Sequence, residues 1–229
     1  MLASLPQPPA AAAQSQAVVV AQAPPSARAD HYPYALLQLG VAFPSGLQGT
    51  STNVLGDTYN HSFQLNSSFN GELGLGYQFG DGRIDVTAGN SWFDAINETN
   101  SPPPPTRPQT RPGKGGLDLF TVMVNAYYDI PLRQTNGQPS RWRPYVGVGL
   151  GYGSVSTPGC AFGSCFQSGS YGALAYQGKV GLGYRLSPGG TVYLEGAYLG
   201  AGSGTTNGFT AAELSTWRLN LGYRLRIGG

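Results

Sequence analysis

The chain has 229 residues, of which 35 are glycine, 18 are proline and only 10% are charged, and its formal net charge is +2. Soluble domains carry about 25% charged residues, so something other than a charged surface must keep this chain dispersed. The charges form no basic block, which excludes the footprint of a nucleic-acid binder, and no apolar run reaches the roughly 20 residues that a membrane-crossing helix needs.

Residues 1–31 are dominated by Ala, Pro and Gln and hold almost nothing that could build a core. They read as a flexible lead-in. No Lys or Arg precedes the apolar stretch at 17–23, so that stretch is at most a degenerate signal remnant.

From Tyr32 the pattern changes to period-two alternation, and 32–229 reads as one barrel domain. The expected strands span about 32–43, 66–79, 83–93, 117–130, 142–153, 171–186, 190–200 and 213–227. Their connections alternate in length. Long ones cover 44–65, 94–116, 154–170 and 201–212, while Gly80-Asp81-Gly82 and Ser187-Pro188-Gly189 make tight turns and 131–141 is intermediate. This rhythm is that of an eight-stranded antiparallel up-and-down barrel with its long connections at one end. The proline run at 101–108 cannot join a ladder and belongs to a long loop.

Gly-Leu-Gly-Tyr recurs at 74–77, 149–152 and 181–184, with Leu221-Gly222-Tyr223 as a truncated copy. In each, leucine and tyrosine share one face and glycine takes the other. Alternation alone does not say which face is inside, since a soluble barrel would turn the leucines inward and a membrane barrel outward. Two features favour lipid. Gly74, Gly76, Gly147, Gly149, Gly151, Gly181, Gly183 and Gly222 suit a lumen just wide enough for side chains, where bulky groups need small neighbours. The apolar-face aromatics also gather at strand ends: Phe43, Trp92, Tyr152, Tyr176, Tyr198 and Trp217 toward the long loops, and Tyr77, Phe79, Tyr128, Trp142, Tyr184 and Tyr223 toward the tight turns. Two such belts mark the edges of a hydrocarbon layer.

Four segments carry a family resemblance: Gly40-Val-Ala-Phe-Pro44, Arg143-Pro-Tyr-Val-Gly-Val-Gly-Leu-Gly-Tyr152, Ala175-Tyr-Gln-Gly-Lys-Val-Gly-Leu-Gly-Tyr184 and Val192-Tyr-Leu-Glu-Gly-Ala-Tyr198. In these the chain resembles the small outer-membrane barrels of the OmpA and opacity-protein superfamily, including bacterial surface antigens. The resemblance implies an outer-membrane location, with long loops outside and the lead-in in the periplasm. It also implies a terminal aromatic residue, whereas this chain ends Arg226-Ile-Gly-Gly229; either Ile227 takes that place or the terminus is altered.

The chemistry expected inside is a charge network of Glu72, Arg83, Asp85, Lys179, Arg185, Glu195, Arg218, Arg224 and Arg226, because enclosed charges must pair. Its expected role is a salt-bridged plug, with a small gated pore as the alternative. His61 adjoins Ser62 and has Asp57 as the nearest acid in sequence; a lipid-modifying enzyme is the remote alternative, and no catalytic site is expected. Cys160 and Cys165, in CAFGSC, fit a small disulfide hairpin, the other reading being two unpaired thiols. A zinc site would need more ligands than the two histidines supply, and no metal or cofactor is expected. The expected partners are membrane lipid and an extracellular ligand at the long loops. The expected function is envelope structure and surface interaction.

Overall fold

A computed structural model describes residues 31–112, 115–132, 140–157, 169–206 and 208–228. The lead-in up to residue 30 and both cysteines lie outside the described residues, while His31, expected in the lead-in, already opens the first strand. Those described hold strands and turns and no helix. The strands are β1 (His31–Pro44), β2 (Leu47–Thr52), β3 (Thr58–Leu65), β4 (Ser68–Phe79), β5 (Gly82–Ser101), β6 (Gln109–Pro112), β7 (Gly116–Asp129), β8 (Trp142–Thr157), β9 (Gly169–Ser187), β10 (Gly190–Ala201), β11 (Gly204–Thr206), β12 (Phe209–Ala211) and β13 (Leu214–Arg226).

Eight of them close a ring. β1 pairs β4, then β5, β7, β8, β9, β10 and β13 follow, and β13 returns to β1 with Tyr34 opposite Arg226 and Pro44 opposite Thr216. Every pairing is antiparallel, and because β13 closes onto β1 the ring has no backbone edge facing lipid, where an unpaired N–H or C=O would cost several kcal/mol. The tight turn after β4 places Gly80 at φ 63°, in the left-handed region that glycine enters without a side-chain penalty.

The sides of the sheet are unambiguous. Leu150 and Leu221 are each 62% exposed, while Lys179 keeps only 2% of its surface and Arg218 4%. Greasy residues point out of the ring and ionised ones in. Trp142 and Tyr152 mark the two ends of the outward apolar face of β8; at about 3.3 Å per residue and a tilt near 40° they stand ~25 Å apart along the barrel axis, the height of a hydrocarbon layer.

Three of the long connections differ from the solvated loops expected, while most of the fourth, at 154–170, lies outside the described residues. β5 runs well past the apolar band, and β3 pairs with its far end, with Phe63 opposite Glu98. β2 pairs β3, β12 pairs β2 and β11 pairs β12, while β6 lies along the far end of β5. The first and last long connections thus continue the barrel wall beyond the membrane band. Their alternation is as regular as in the ring, with Tyr59, His61, Phe63 and Leu65 all less exposed than the residues between them.

Candidate functional site: the lumen and its outer cap

The lumen is layered. Its middle is ionic, because β4, β9, β10 and β13 each turn one charged side chain to the same level. Lys179 Nζ lies 2.9 Å from Glu72 Oε1 and 3.2 Å from Glu195 Oε1. Arg218 Nη1 reaches Glu72 Oε2 at 3.8 Å, and its Nη2 donates to Ser91 Oγ at 3.0 Å. Tyr145 donates to Glu195 Oε2 at 2.9 Å. One lysine therefore ties carboxylates from two strands that are not neighbours in the ring.

Beside this layer Asp85 accepts from Tyr34 at 2.9 Å and from Asn125 at 2.8 Å, and Asn125 also accepts from Gln177 at 2.6 Å. Toward the tight-turn end Arg83 Nε lies 3.2 Å from Asp129 Oδ1, with the guanidinium 4.0 Å from the centre of the Tyr127 ring and 4.3 Å from that of Tyr145. Arg224 donates to Gln78 at 3.4 Å and sits over Tyr34 and Tyr193. Cation and ring attract through the quadrupole of the ring, more strongly once water is excluded.

The buried charges of the lumen balance: Arg83, Lys179, Arg218 and Arg224 face Glu72, Asp85, Asp129 and Glu195. Two of the residues expected there lie elsewhere. Arg226 is exposed at the tight-turn end, over the Tyr32 ring, and Arg185 is only partly covered, lining a cavity of about 10 Å³ with Asp129, Arg141, Arg143 and Arg224. Both follow the inward parity but sit at the tight-turn ends of their strands, opposite Tyr34 and Thr191, where the ring covers them less. Asp129 is the missing acid; its parity opposite to outward-facing Tyr128 carried that signal.

The glycines face inward beside bulk. A Cβ on Gly147 would overlap the Tyr127 ring, on Gly181 the Tyr145 ring, on Gly222 the Tyr193 ring and on Gly76 the Tyr34 ring. Gly149 faces Asn125 and Gln177, Gly151 faces Met123, Gly74 faces Thr87, and Gly183 approaches Thr191. The inward tyrosines were absent from the expected set, because alternation assigned tyrosine to the outer face by its recurrence in Gly-Leu-Gly-Tyr. The belt aromatics lie on the outer face, where Trp142 meets Tyr184 in a tilted contact at 4.7 Å between centroids and Trp217 meets Tyr198 edge-on at 5.1 Å.

Above the ionic layer the interior turns apolar, which the expectation of a polar lumen did not foresee. Leu47, Phe93, Leu117, Leu119, Met123, Val155, Tyr171, Leu199 and Leu214 form one buried cluster, with Phe63, Leu65 and Phe209 packed against it. The small inward residues Ala42, Ala175, Ala201 and Ala211 complete it. Leucines on both faces of one strand blur a period-two pattern, which hid this plug.

His61 does not meet Ser62 or Asp57. Ser62 faces out, and Asp57 accepts from the Asn53 amide at 3.1 Å in the hairpin turn. The imidazole meets Ser51 and Glu98 instead. Among the described residues no cluster of three His, Cys, Asp or Glu side chains is arranged to hold a metal.

Comparison with known proteins agrees with this architecture. Neisserial surface protein A (NspA) superposes with a TM-score of 0.51 at 16% identity, covering 84% of this chain and 97% of that one. OprG of Pseudomonas aeruginosa gives 0.49 at 11% identity (86% and 97% covered), and Ail, the attachment invasion locus protein of Yersinia pestis, gives 0.40 at 15% (85% and 99%). No curated sequence matches the chain. At such identities the likeness to NspA speaks for fold alone. The family model of the outer membrane protein beta-barrel domain matches residues 10–225, and the chain belongs to that family.

Proposed function

We propose that this outer-membrane barrel is a closed scaffold that strengthens the envelope and presents its outer sheet for interaction with a partner outside the cell. The observation that carries the reading is Lys179 held between Glu72 and Glu195 across the lumen, with the apolar cluster stacked above it. An ion path would have to separate these pairs in a space with little room for water, and leaving one buried charge unpaired costs about 3–5 kcal/mol. The lumen charges are accordingly structural, not catalytic and not selective for ions.

In this reading the tight turns and the lead-in face the periplasm, and the continuous sheet of β2, β3, β11, β12 and the far end of β5 stands outside. The connections at 44–65, 94–116, 154–170 and 201–212 then supply the surface that a partner meets. A rigid wall presenting polar Ser, Thr and Asn side chains holds its binding groups in place before contact, which lowers the entropy lost on association.

Planar-bilayer recording on the detergent-purified full chain tests the closed lumen. Insertion without conductance steps is the expected result. Stable, voltage-reproducible steps from the wild type would replace this reading with a pore.

A further inference from the structure

Beyond the membrane band, three adjacent strands bring a serine, a histidine and a glutamate into line. Ser51 Oγ on β2 lies 2.8 Å from Nε2 of His61 on β3, and Nδ1 of the same ring lies 3.1 Å from Oε1 of Glu98 on β5. The pairing sets this diagonal: Gly49 stands opposite His61, Ser51 opposite Tyr59, and Phe63 opposite Glu98. The absence of a side chain at Gly49 leaves the face beside the imidazole to Phe209, whose ring meets that of His61 edge-on at 5.7 Å. Phe63 stacks on the imidazole at 6.3 Å and meets Phe209 edge-on at 6.1 Å, so the three rings form one triangle.

The order of contacts assigns roles. Glu98, 2% exposed, accepts from Nδ1–H, which leaves the Nε2 lone pair to accept from the Ser51 hydroxyl. The acid is enclosed, the base is largely covered, and the serine is only partly buried, so the hydroxyl is the member of the trio that a molecule from outside reaches first. Asn100 stands opposite His61 and shares the face of Glu98, with its Oδ1 buried.

We propose that Ser51, His61 and Glu98 form a nucleophile relay that hydrolyses carboxylic esters of an apolar acyl group. Ser51 Oγ bonds to the ester carbonyl carbon while Nε2 takes its proton. The bond from carbon to the alcohol oxygen breaks, and Nε2 gives that proton to the departing oxygen. Water then adds to the acyl carbon, passing one proton to Nε2, and the acyl–Oγ bond breaks as that proton returns to Oγ. Ester and water become acid and alcohol, and the trio is restored. Glu98 is a positioning residue that holds the ring and offsets the imidazolium charge. The acyl preference follows from Phe63 and Phe209, which border the trio and pack against the apolar cluster below it, so that an alkyl chain entering beside Ser51 meets hydrocarbon.

A purely mechanical role, stapling three strands, would give stability without nucleophilicity, so the test reads nucleophilicity. The full chain in detergent is treated with a fluorophosphonate probe, and its turnover of p-nitrophenyl octanoate and acetate is followed. The expected result is probe bonded to Ser51, faster octanoate than acetate hydrolysis, and a loss of about 10⁴-fold in rate for Ser51→Ala with heat-dependent gel mobility unchanged. Glu98→Gln lowers kcat by about 10²–10⁴-fold with KM held, and Glu98→Asp restores part of it. Release of labelled acid from phospholipid vesicles assigns the ester to lipid; hydrolysis of the soluble octanoate alone assigns it to a free ester. No labelling of the folded wild type, labelling that survives Ser51→Ala, or acetate preferred over octanoate overturns the proposal. None of these readouts depends on whether the lumen conducts.

Discussion

Lys179 shows how single residues hold the interior. Replacing it with methionine keeps the stem volume but leaves Glu195 without its cation and Glu72 with only Arg218, at 3.8 Å. Lys179→Met should therefore destabilise the barrel by about 3–5 kcal/mol, read as a lower urea midpoint in vesicles. Replacing Glu195 with glutamine as well should recover part of that loss, because the stranded carboxylate is then neutral. The glycines offer a paired test on one strand. Gly181→Ala places a methyl in the Tyr145 ring and should cost about 1–3 kcal/mol, whereas Gly178→Ala points outward into open space and should be neutral or slightly favourable. Equal effects at the two positions would contradict the inward assignment of the glycines. Most of the lumen charges were legible from strand parity alone, since a charge opposite Leu and Tyr can only face in. Arg185 and Arg226 misled for the same reason: parity tells the face of a residue but not whether the ring still encloses it at that height.

Among the elements, the eight ring strands were readable to within a few residues at most ends because each carries a long, uninterrupted alternation bounded by Gly, Pro or Asp. The outer strands were not. β11 and β12 span three residues each, and β2 is rich in Ser, Thr and Gly; such sequences become strands only because β5 extends far enough to template β3. That template lies across the chain and leaves no local signal. The Ser51–His61–Glu98 alignment was invisible for the same reason, as it depends on the pairing of β2 with β3 and of β3 with β5. Hydrogen exchange distinguishes a wall from loops. Amides of β3 and of residues 95–101 should be protected for minutes or longer, while those of 53–57 in the hairpin turn exchange quickly. Full exchange of β3 in seconds would show that the outer sheet is not a standing structure.

At the scale of the whole molecule, everything rests on which solvent meets which face. A low charge content, an outward belt of Leu and Val, and a neutral ionic core suit a protein that replaces its water shell with lipid and buries its charges in mutual pairs. The position of the three tryptophans tests this most directly, because Trp92, Trp142 and Trp217 all stand on the outer face, at the two ends of the apolar band. Quenching of the native fluorescence by lipids brominated at graded depths reads their position without any substitution. The account predicts quenching of the tryptophan emission that is strongest for bromines near the headgroups and weaker for those at the bilayer centre, with little effect of aqueous acrylamide. Emission that acrylamide quenches and brominated lipid leaves unchanged would place these faces in water and contradict the assignment of sides.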